Sequence, residues 1–302
     1  MDLEPGRGLG LGMTLEQLRI FVAVAERAHV TKAAQAVHLT QSAVSSAVTA
    51  LEARHGVALF DRVGRSIVLN PAGEIFLVEA RAVLARAAAA EAALADLGDL
   101  SRGRLTIHAS QTIASYWLPP RLAAFHRTYP GIVLDIAIGN TAQVARAVEE
   151  GEAELGFVEG DVDAAALTVQ VVDHDRLSLV VGRDHPWAAA PSSAALDLTS
   201  TAWVLREPGS GTRGAFEAAL GQRGLTLGGL DVALVLPSNE AVRTAIEAGA
   251  GAAVMARSVA ASGLANGALV EIPLDLPPRA YSLLRHKDRY RGRAADVFLV
   301  LG

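Results

Sequence analysis

The sequence contains no cysteine, which excludes disulfide bonds and metal sites built from thiolates. It also lacks any run of about 18 uncharged apolar residues, the length that a membrane-spanning helix needs. The alanine-rich stretch that comes closest is interrupted by charged side chains, among them Glu79, Arg86 and Glu91. We therefore expect a protein of a reducing compartment, the cytoplasm, without a membrane partner.

Motifs of enzyme catalysis are missing as well. Lys32 and Lys287 are the only lysines, so no lysine completes a phosphate-binding GxxxxGK[ST] loop. The eight histidines show no HExxH pattern or other paired metal spacing. The glycine-rich run G-S-G-T-R at 209–213 is not a GxSxG nucleophile elbow. We expect no enzyme, no metal and no cofactor.

Residues 1–12, M-D-L-E-P-G-R-G-L-G-L-G, are rich in glycine and have no apolar segment of the kind found in signal peptides. Met13 directly precedes the first helical pattern of the chain. We therefore expect residues 1–12 to form a flexible leader and Met13 to be the natural start.

The length and the distribution of charge divide the chain. At 302 residues it is long enough for two or three domains. Within the net charge of −5, residues 13–70 have six basic and four acidic side chains, which leaves +2, whereas residues 71–302 carry −6. Only the N-terminal part suits the phosphates of DNA, and two symmetric copies would double its phosphate contacts.

Two short helical patterns lie close together within residues 30–52. The second has an apolar face at helical spacing, formed by Val44, Val48 and Leu51, and an opposite face of serine and threonine. Thr31 and Thr40 stand where the N-caps of the two helices are expected. The pattern predicts a helix-turn-helix, although similar helix pairs also occur in proteins that never bind DNA.

A β-hairpin and a long helix are predicted next. Strand-like runs at 59–62 and 66–69 flank a turn with an arginine on each side, Arg62 and Arg65. Pro71 then opens an alanine-rich helix, and apolar residues recur on it with the spacing of a coiled-coil seam: Phe76, Ala80, Val83, Ala87, Ala90, Leu94 and Leu97. The seam predicts dimerisation, and the alternative is a single helix packed on its own domain.

After Gly103 the chain alternates strand-like and helix-like segments, which predicts a parallel sheet covered by helices. Ligands collect beyond the carboxyl ends of such strands. The polar residues that follow the predicted strands are therefore candidate ligand contacts: Ser110, Gln111, Thr112, Asn140, Thr141, Glu159, Ser238 and Asn239.

A glycine-rich loop before a predicted helix adds a second group of candidates. It contributes backbone N–H groups, two hydroxyls and a guanidinium from Ser210, Gly211, Thr212 and Arg213. These groups suit a small anion. The alternative is an ordinary loop that caps the helix.

Four blocks of sequence within residues 14–100 carry a family resemblance: M-T-L-E-Q-L-R-I-F-V-A-V-A-E, A-A-Q-A-V-H-L-T-Q-S-A-V-S, A-L-E-A-R-H-G-V-A-L-F-D-R and L-N-P-A-G-E. In this order and spacing they resemble the N-terminal half of LysR-type transcriptional regulators, and the resemblance continues more weakly along the rest of the chain. It implies an α/β protein with an N-terminal all-α winged helix-turn-helix domain at 13–70, a linker and dimerisation helix at 71–100, and a two-lobed effector domain like a periplasmic binding protein at 104–302.

The resemblance also implies the finer organisation and the partners. Lobe I is expected at 104–175 plus 277–302 and lobe II at 176–276, with chain crossings near 172–176 and 276–281. The expected partners are double-stranded promoter DNA, a second copy in a homodimer or homotetramer, RNA polymerase, and a small effector. The loop at 208–213 looks like that of regulators linked to sulfur or carbon assimilation, which favours a carboxylate, a sulfur oxyanion or a phosphate ester.

The start of the second helix is expected in the DNA major groove, with the hairpin as a wing beside it. The expected DNA contacts are Thr31, Lys32, Gln41, Ser42, Ser45, Ser46, Thr49, Arg62 and Arg65. Gln41 can bond bidentately to adenine. Relatives often have arginine or lysine where this chain has Ser46 and Thr49. We therefore expect a larger share of DNA recognition to come from the wing arginines and from DNA shape.

Two other functions remain open on the residues. A solute-binding protein or α/β enzyme with an incidental helix-turn-helix-like extension would need an export signal or a catalytic cluster, and neither is found. An architectural DNA-binding protein would have little use for the α/β part. We therefore predict a regulator in which an effector closes the cleft, shifts the quaternary arrangement and changes the spacing of the DNA-binding heads.

Overall fold

The computed structural model describes residues 13–64, 66–95, 103–189 and 196–301. The chain divides after Glu91 into two compact units. Within the described ranges, no helix is long and apolar enough to cross a membrane.

The N-terminal unit consists of helices and one β-hairpin. Its elements are α1 (Leu15–Arg27), α2 (Val30–Ala36), α3 (Gln41–His55), β1 (Phe60–Val63), β2 (Ser66–Leu69) and α4 (Pro71–Ala95), the last of which continues past the boundary. One buried cluster joins α1, α2 and α3 around Val24 and Val44. A second joins α1 to the hairpin and to the first turns of α4, where the ring centroids of Phe21 and Phe76 are 4.8 Å apart.

Side-chain caps fix where α2 and α3 begin. Thr40 Oγ1 accepts a hydrogen bond from the Ala43 N–H at 3.2 Å, as predicted. The prediction for Thr31 is wrong, because α2 begins at Val30 and His29 Nδ1 accepts a hydrogen bond from the Thr31 N–H at 3.2 Å. The imidazole of His29 therefore does what the hydroxyl was expected to do.

The hairpin is tied to the end of α3 by Glu52. Its Oε1 accepts hydrogen bonds from the backbone N–H of Leu59 at 2.7 Å and of Phe60 at 3.3 Å. The strands β1 and β2 pair antiparallel over four residues each, and the turn begins at Gly64, whose φ of +61° is easily adopted only without a Cβ. Arg65 lies outside the described residues.

The heptad interpretation of α4 needs a correction at its start. Ala80 is buried and Phe76 is half-buried, and both pack against α1 of their own chain, so they are not available to a second helix. The reason is that the first turns of α4 complete the core of this small unit. The later seam positions within the described residues are exposed or partly exposed: Val83, Ala87, Ala90 and Leu94. Leu97 lies outside those residues.

The C-terminal unit alternates strands and helices. Its strands are β3 (Gly103–Ser110), β4 (Ile132–Gly139), β5 (Leu155–Glu159), β6 (Leu167–Asp175), β7 (Leu177–Gly182), β8 (Ala202–Arg206), β9 (Asp231–Leu236), β10 (Ala252–Ala256), β11 (Leu269–Ile272) and β12 (Arg279–His286). Its helices are α5 (Leu118–Thr128), α6 (Thr141–Glu150), α7 (Gly211–Gly221), α8 (Asn239–Glu247), α9 (Arg257–Ala265) and α10 (Arg293–Leu301). A π-helical turn, Ile113–Trp117, precedes α5.

These strands form two five-stranded sheets, each covered by helices on both faces. Lobe I has the strand order β4-β3-β5-β12-β6, and lobe II has β11-β7-β10-β8-β9. Both sheets are mixed, because β12 runs antiparallel to β5 and β6, and β7 runs antiparallel to β10 and β11. The prediction of a parallel sheet is therefore wrong for the strands that adjoin the crossings between lobes.

The chain crosses between the lobes twice. It leaves lobe I at Asp175, the end of β6, and enters lobe II at Leu177, the start of β7. It returns between Ile272, which ends β11, and Arg279, which begins β12. Asp175 and Arg279 are register partners in lobe I, so the two crossings lie side by side.

Candidate functional site

The candidate recognition surface of the N-terminal unit is the polar face of α3. Val44, Val48 and Leu51 are buried, as the two-faced pattern predicts. The candidate DNA contacts that the structure describes are all exposed: Thr31, Lys32, Gln41, Ser42, Ser45, Ser46, Thr49 and Arg62. The fold thus turns the core residues of α3 inward and leaves its serine and threonine face accessible.

Two residues at the start of α3 are held by hydrogen bonds within the chain. The Thr31 hydroxyl donates to Gln41 Oε1 at 3.2 Å, and the hydroxyls of Thr40 and Ser42 are 3.0 Å apart. Since the amide oxygen of Gln41 is engaged, its Nε2 is the group left to donate outward. Sequence reasoning had treated Thr31 and Gln41 as separate contacts.

Unpaired cations stand on the elements next to α3. Lys32 of α2 and Arg62 of β1 are exposed and make no ion pair within the described residues. In α1, by contrast, Arg19 lies 3.7 Å from a carboxylate and Arg27 lies 3.3 Å from one. The positive charge that remains uncompensated is therefore available to phosphate groups.

The cleft between lobe I and lobe II collects most of the candidate effector residues. Those that are buried there are Ser110, Thr112, Asn140, Thr141, Glu159, Ser210, Gly211, Thr212 and Asn239. They come from the ends of β3, β5 and β9 and from the first turns of α6, α7 and α8. Helix and strand ends converge here because both sheets point their carboxyl ends at the cleft.

One wall of the cleft is joined across the lobes by the turn after β3. Gln111 Nε2 donates to the Pro237 carbonyl at 3.0 Å, and Gln111 Oε1 accepts from the Asn239 N–H at 2.9 Å. The Asn239 side-chain amide donates to Thr112 Oγ1 at 3.0 Å. Two side chains of lobe I therefore contact the start of α8: Gln111 bonds to its backbone, and Thr112 bonds to the side chain of Asn239.

The opposite wall is joined by the glycine-rich loop. Asn140 caps α6 and also donates from Nδ2 to Glu207 Oε1 at 3.2 Å, and the Ala142 N–H donates to the Gly209 carbonyl at 3.2 Å. A Cβ at Gly211 would collide with the backbone oxygen of Glu159. The loop needs glycine for this approach, which is a more specific reason than helix capping.

Two buried arginines, which sequence reasoning missed, supply the positive charge of the cleft. Arg206 and Arg279 are each 4% exposed. Arg206 donates from Nε and Nη2 to the two carboxylate oxygens of Glu207 at 2.8 and 2.9 Å, and from Nη1 to Asn239. Arg206 ends the apolar run A-W-V-L, so recognising β8 as a strand would have placed it at the cleft.

Arg279 connects the crossing strands to both lobes. Its Nη1 donates to Thr212 Oγ1 at 2.8 Å and lies 3.7 Å from Glu159 Oε1, and its Nη2 donates to Asp175. Its Nε is buried without a hydrogen-bond partner. One guanidinium therefore touches the first turn of α7 in lobe II and two carboxylates at the crossing and in lobe I.

Glu159 is the buried carboxyl of the cleft. Its side chain accepts a hydrogen bond from the Ser110 hydroxyl, and its backbone oxygen accepts one from Thr141 Oγ1 at 2.8 Å. Burial raises the pKa of Glu159 above its ordinary value, and the positive charge of Arg279 opposes that rise. The Glu159 carboxyl therefore experiences two opposed influences, burial and the nearby guanidinium.

Two predicted effector residues have other partners. Arg213 donates from Nε to Glu217 Oε1 at 2.8 Å, one helical turn along α7, and from Nη1 to the Arg206 carbonyl at 3.4 Å. Ser238 is the N-cap of α8, where its Oγ accepts from the Ala241 N–H at 3.0 Å. Arg213 is thus ion-paired along α7, while the guanidinium groups of Arg206 and Arg279 lie buried in the cleft.

Comparisons with known proteins identify both units. Residues 15–74 match the family model of bacterial regulatory helix-turn-helix proteins of the lysR family, and residues 98–301 match the LysR substrate binding domain. The uncharacterized HTH-type transcriptional regulator YeiE of Escherichia coli strain K12 is 32% identical over 289 residues, which cover 95% of this chain and 96% of YeiE.

Solved structures agree with the fold. The full-length regulator CbnR in complex with its target DNA superimposes with a TM-score of 0.66 at 24% identity, over 96% of this chain and 98% of CbnR. The regulatory domain of Synechocystis PCC6803 CcmR in complex with 2-PG gives 0.60 at 27% identity, over 66% of this chain and 95% of that domain. With a lysR-type helix-turn-helix and a substrate-binding domain in one polypeptide, this chain belongs to the LysR family of DNA-binding transcriptional regulators.

Proposed function

We propose that this regulator binds a small oxyanion in the cleft between lobe I and lobe II, and that the bound anion changes the affinity of the regulator for promoter DNA. The observation that carries the proposal is Arg279, whose buried Nε has no hydrogen-bond partner among the described residues although Nη1 and Nη2 each donate a hydrogen bond. A buried N–H without an acceptor is costly, and an oxyanion would supply the acceptor.

The first turn of α7 supports an anion at the same place. Ser210 is its N-cap residue but makes no capping hydrogen bond with its side chain, and Gly211 and Thr212 are buried. Backbone N–H groups at the start of a helix favour negative charge. Thr212 also accepts from Arg279 at 2.8 Å, so the helix end and the guanidinium lie side by side. The CcmR regulatory domain, similar in fold, is described in complex with 2-PG.

Closure of the cleft links the anion to DNA binding. Every hydrogen bond between the lobes that involves Gln111, Asn140 or Asn239 depends on how closely the two lobes approach. A ligand shifts that equilibrium only by its differential affinity for the two arrangements. We infer that the anion favours one arrangement of the lobes, and so one spacing of the DNA-binding units in the oligomer.

We propose a homodimer, and a homotetramer built from two such dimers, in which the later turns of α4 pair with those of a second copy. Val83 is 44% exposed and Leu94 is 71% exposed, and side chains of this size are usually covered. The small Ala87 and Ala90 between them allow two helices to approach closely.

DNA contact is proposed for the polar face of α3, with Gln41, Ser42, Ser45 and Ser46 toward the base edges and Lys32 and Arg62 toward phosphates. Thr49 lies on the same exposed face, one turn further along the helix. Serine and threonine hydroxyls serve any base, so most of the base discrimination falls to Gln41 and to DNA shape.

A thermal-shift screen of small anions on the full chain tests the effector proposal. A ligand that binds only the folded protein raises its apparent stability, by about 2.7 kcal/mol at a hundred times its Kd. We expect tetrahedral oxyanions or carboxylates to raise the Tm and to change the affinity for promoter DNA. If no anion in the screen does either, the anion site does not exist.

A further inference from the structure

Glu159 is a carboxyl group in the middle of a site proposed to bind an anion. It is 2% exposed, and four groups of the cleft contact it directly: the Ser110 hydroxyl, the Thr112 side chain, the Thr141 hydroxyl through the backbone oxygen, and Arg279 Nη1 at 3.7 Å from Oε1. Oxygen atoms of a bound oxyanion at Arg279 would have to lie close to this carboxyl. Two acceptor oxygens facing each other cannot form a hydrogen bond without a proton between them.

The charges around Glu159 do not compensate for it. The charged and titratable groups that face it are Arg279 and Tyr281 of β12, Arg206 of β8, and Asp175 of β6. Arg279 already has Asp175 as a partner, and Arg206 is held by both oxygens of Glu207. Two guanidinium groups therefore meet three carboxylates before any effector binds.

A fully ionised dianion would find this arrangement unfavourable. Two negative charges at hydrogen-bond distance in a buried cleft repel each other strongly, because little solvent screens them. One proton shared between Glu159 and the effector would turn this repulsion into a charge-assisted hydrogen bond. Burial already raises the pKa of Glu159, which makes the carboxyl a possible donor or partner of such a proton.

We propose that Glu159 sets the class of effector: the cleft prefers an oxyanion that carries its own acidic hydroxyl, such as hydrogenphosphate, over a fully ionised oxyanion such as sulfate. The inference rests on the anion-binding function proposed above. With a protonated oxyanion the hydroxyl donates to Glu159, while the remaining oxygens accept from Arg279 and from the start of α7. With sulfate the proton has to be taken up by Glu159 from solution.

Sulfate and inorganic phosphate are matched probes, because both are tetrahedral and only phosphate keeps a hydroxyl near neutral pH. Binding of each to the full chain is measured by calorimetry between about pH 6 and about pH 8. We expect phosphate to bind at least about tenfold more tightly than sulfate near neutral pH. Sulfate affinity should fall as pH rises, by up to about tenfold per pH unit, since one proton is taken up with it.

Glu159→Gln is the decisive variant. The carboxamide has the same shape but can donate to sulfate at any pH, so the preference for phosphate and the pH dependence of sulfate binding should both disappear. Glu149→Gln, on α6 outside the cleft, should behave like the unmodified protein. If Glu159→Gln does not fold, the pH series on the unmodified protein still decides, because it needs no variant.

The possible results separate this inference from the function on which it rests. Sulfate binding that is as tight as phosphate binding and independent of pH would overturn the role of Glu159 and leave the anion site standing. If neither sulfate nor phosphate binds to the unmodified protein at any pH, the proposed anion site itself is refuted. Equal anion preference in the unmodified protein and in Glu159→Gln would also refute the proposal.

Discussion

Gln41 offers a sharp test of how α3 reads DNA, because its surroundings limit what it can contribute. A glutamine that contacts adenine with both Oε1 and Nε2 contributes about 1–3 kcal/mol of discrimination. In this chain Oε1 already accepts a hydrogen bond from Thr31 at 3.2 Å. The bond to Thr31 holds Oε1 and so disfavours the two-atom contact with adenine, and a single neutral hydrogen bond from Nε2 contributes about 0.5–1.5 kcal/mol. We expect Gln41→Ala to weaken specific binding by about 1 kcal/mol, which is roughly fivefold in Kd.

Thr31 should control which base Gln41 prefers. With Oε1 held by Thr31, Nε2 is the group that Gln41 offers to the base, which favours an acceptor such as guanine N7 or O6. Thr31→Val removes the hydroxyl at nearly constant volume and frees the oxygen, so adenine should become acceptable at that position. Thr31→Ser keeps the hydroxyl and should keep the preference.

The assay first selects the preferred site from randomised duplexes for each variant, and then measures Kd on that site and on a scrambled duplex by fluorescence anisotropy at one salt concentration. Gln35→Ala, an exposed glutamine of α2, is the control. Equal losses on both duplexes in Gln41→Ala would refute base reading by this residue. A loss near 3 kcal/mol would refute the restriction imposed by Thr31.

Three further predictions concern the wing, the long helix and the cleft. Arg62→Ala should reduce the slope of log K against log salt by about 0.9, as expected for one lost phosphate contact; an unchanged slope would exclude Arg62 from the DNA interface. Val83→Glu should shift the sedimentation profile toward the monomer. Ala88→Glu is the control, because Ala88 is exposed and lies outside the seam, and it should leave the profile unchanged. Identical profiles for the two variants would contradict pairing through α4. Arg279→Lys keeps the positive charge but loses the planar guanidinium, so it should abolish most of the anion-induced rise in Tm. Arg213→Lys should leave that rise intact, because Arg213 pairs with Glu217. The reverse result would indicate that Arg213 of the glycine-rich loop binds the anion.

Patterns that depend on near neighbours were readable from the sequence. The spacing of Val44, Val48 and Leu51 fixes which face of α3 is buried, and Thr40 fixes where the helix begins. The strand-like runs around Gly64 form a hairpin because alternating side chains and a turn glycine act over a few residues. In the same way, polar residues after apolar runs and the glycine-rich loop together indicated nine positions that the fold buries in the cleft.

Patterns that depend on distant partners were not readable. Strand β6 has a short alternating pattern, L-T-V-Q-V at 167–171, but it lies at the edge of lobe I and exposes most of its side chains. Its pairing with β12 could therefore not be inferred from the sequence. Strand β8 ends in Arg206, and its polar end gave no sign that the arginine would be buried between Glu207 and Asn239. The heptad pattern of α4 could not show that Ala80 packs on α1.

The sequence by itself determined that this protein has a two-faced recognition helix, a hairpin wing, a long apolar-striped helix and an alternation of strands and helices, because each follows from local spacing. Only the tertiary structure decided the direction of β7 and β12, the burial of Arg206 and Arg279, and the position of Glu159 beside them. The physical reason is that burial and charge pairing are properties of surfaces brought together by the two crossings of the chain. Arg279 and Glu159 are far apart in sequence, and only the sheet of lobe I makes them neighbours.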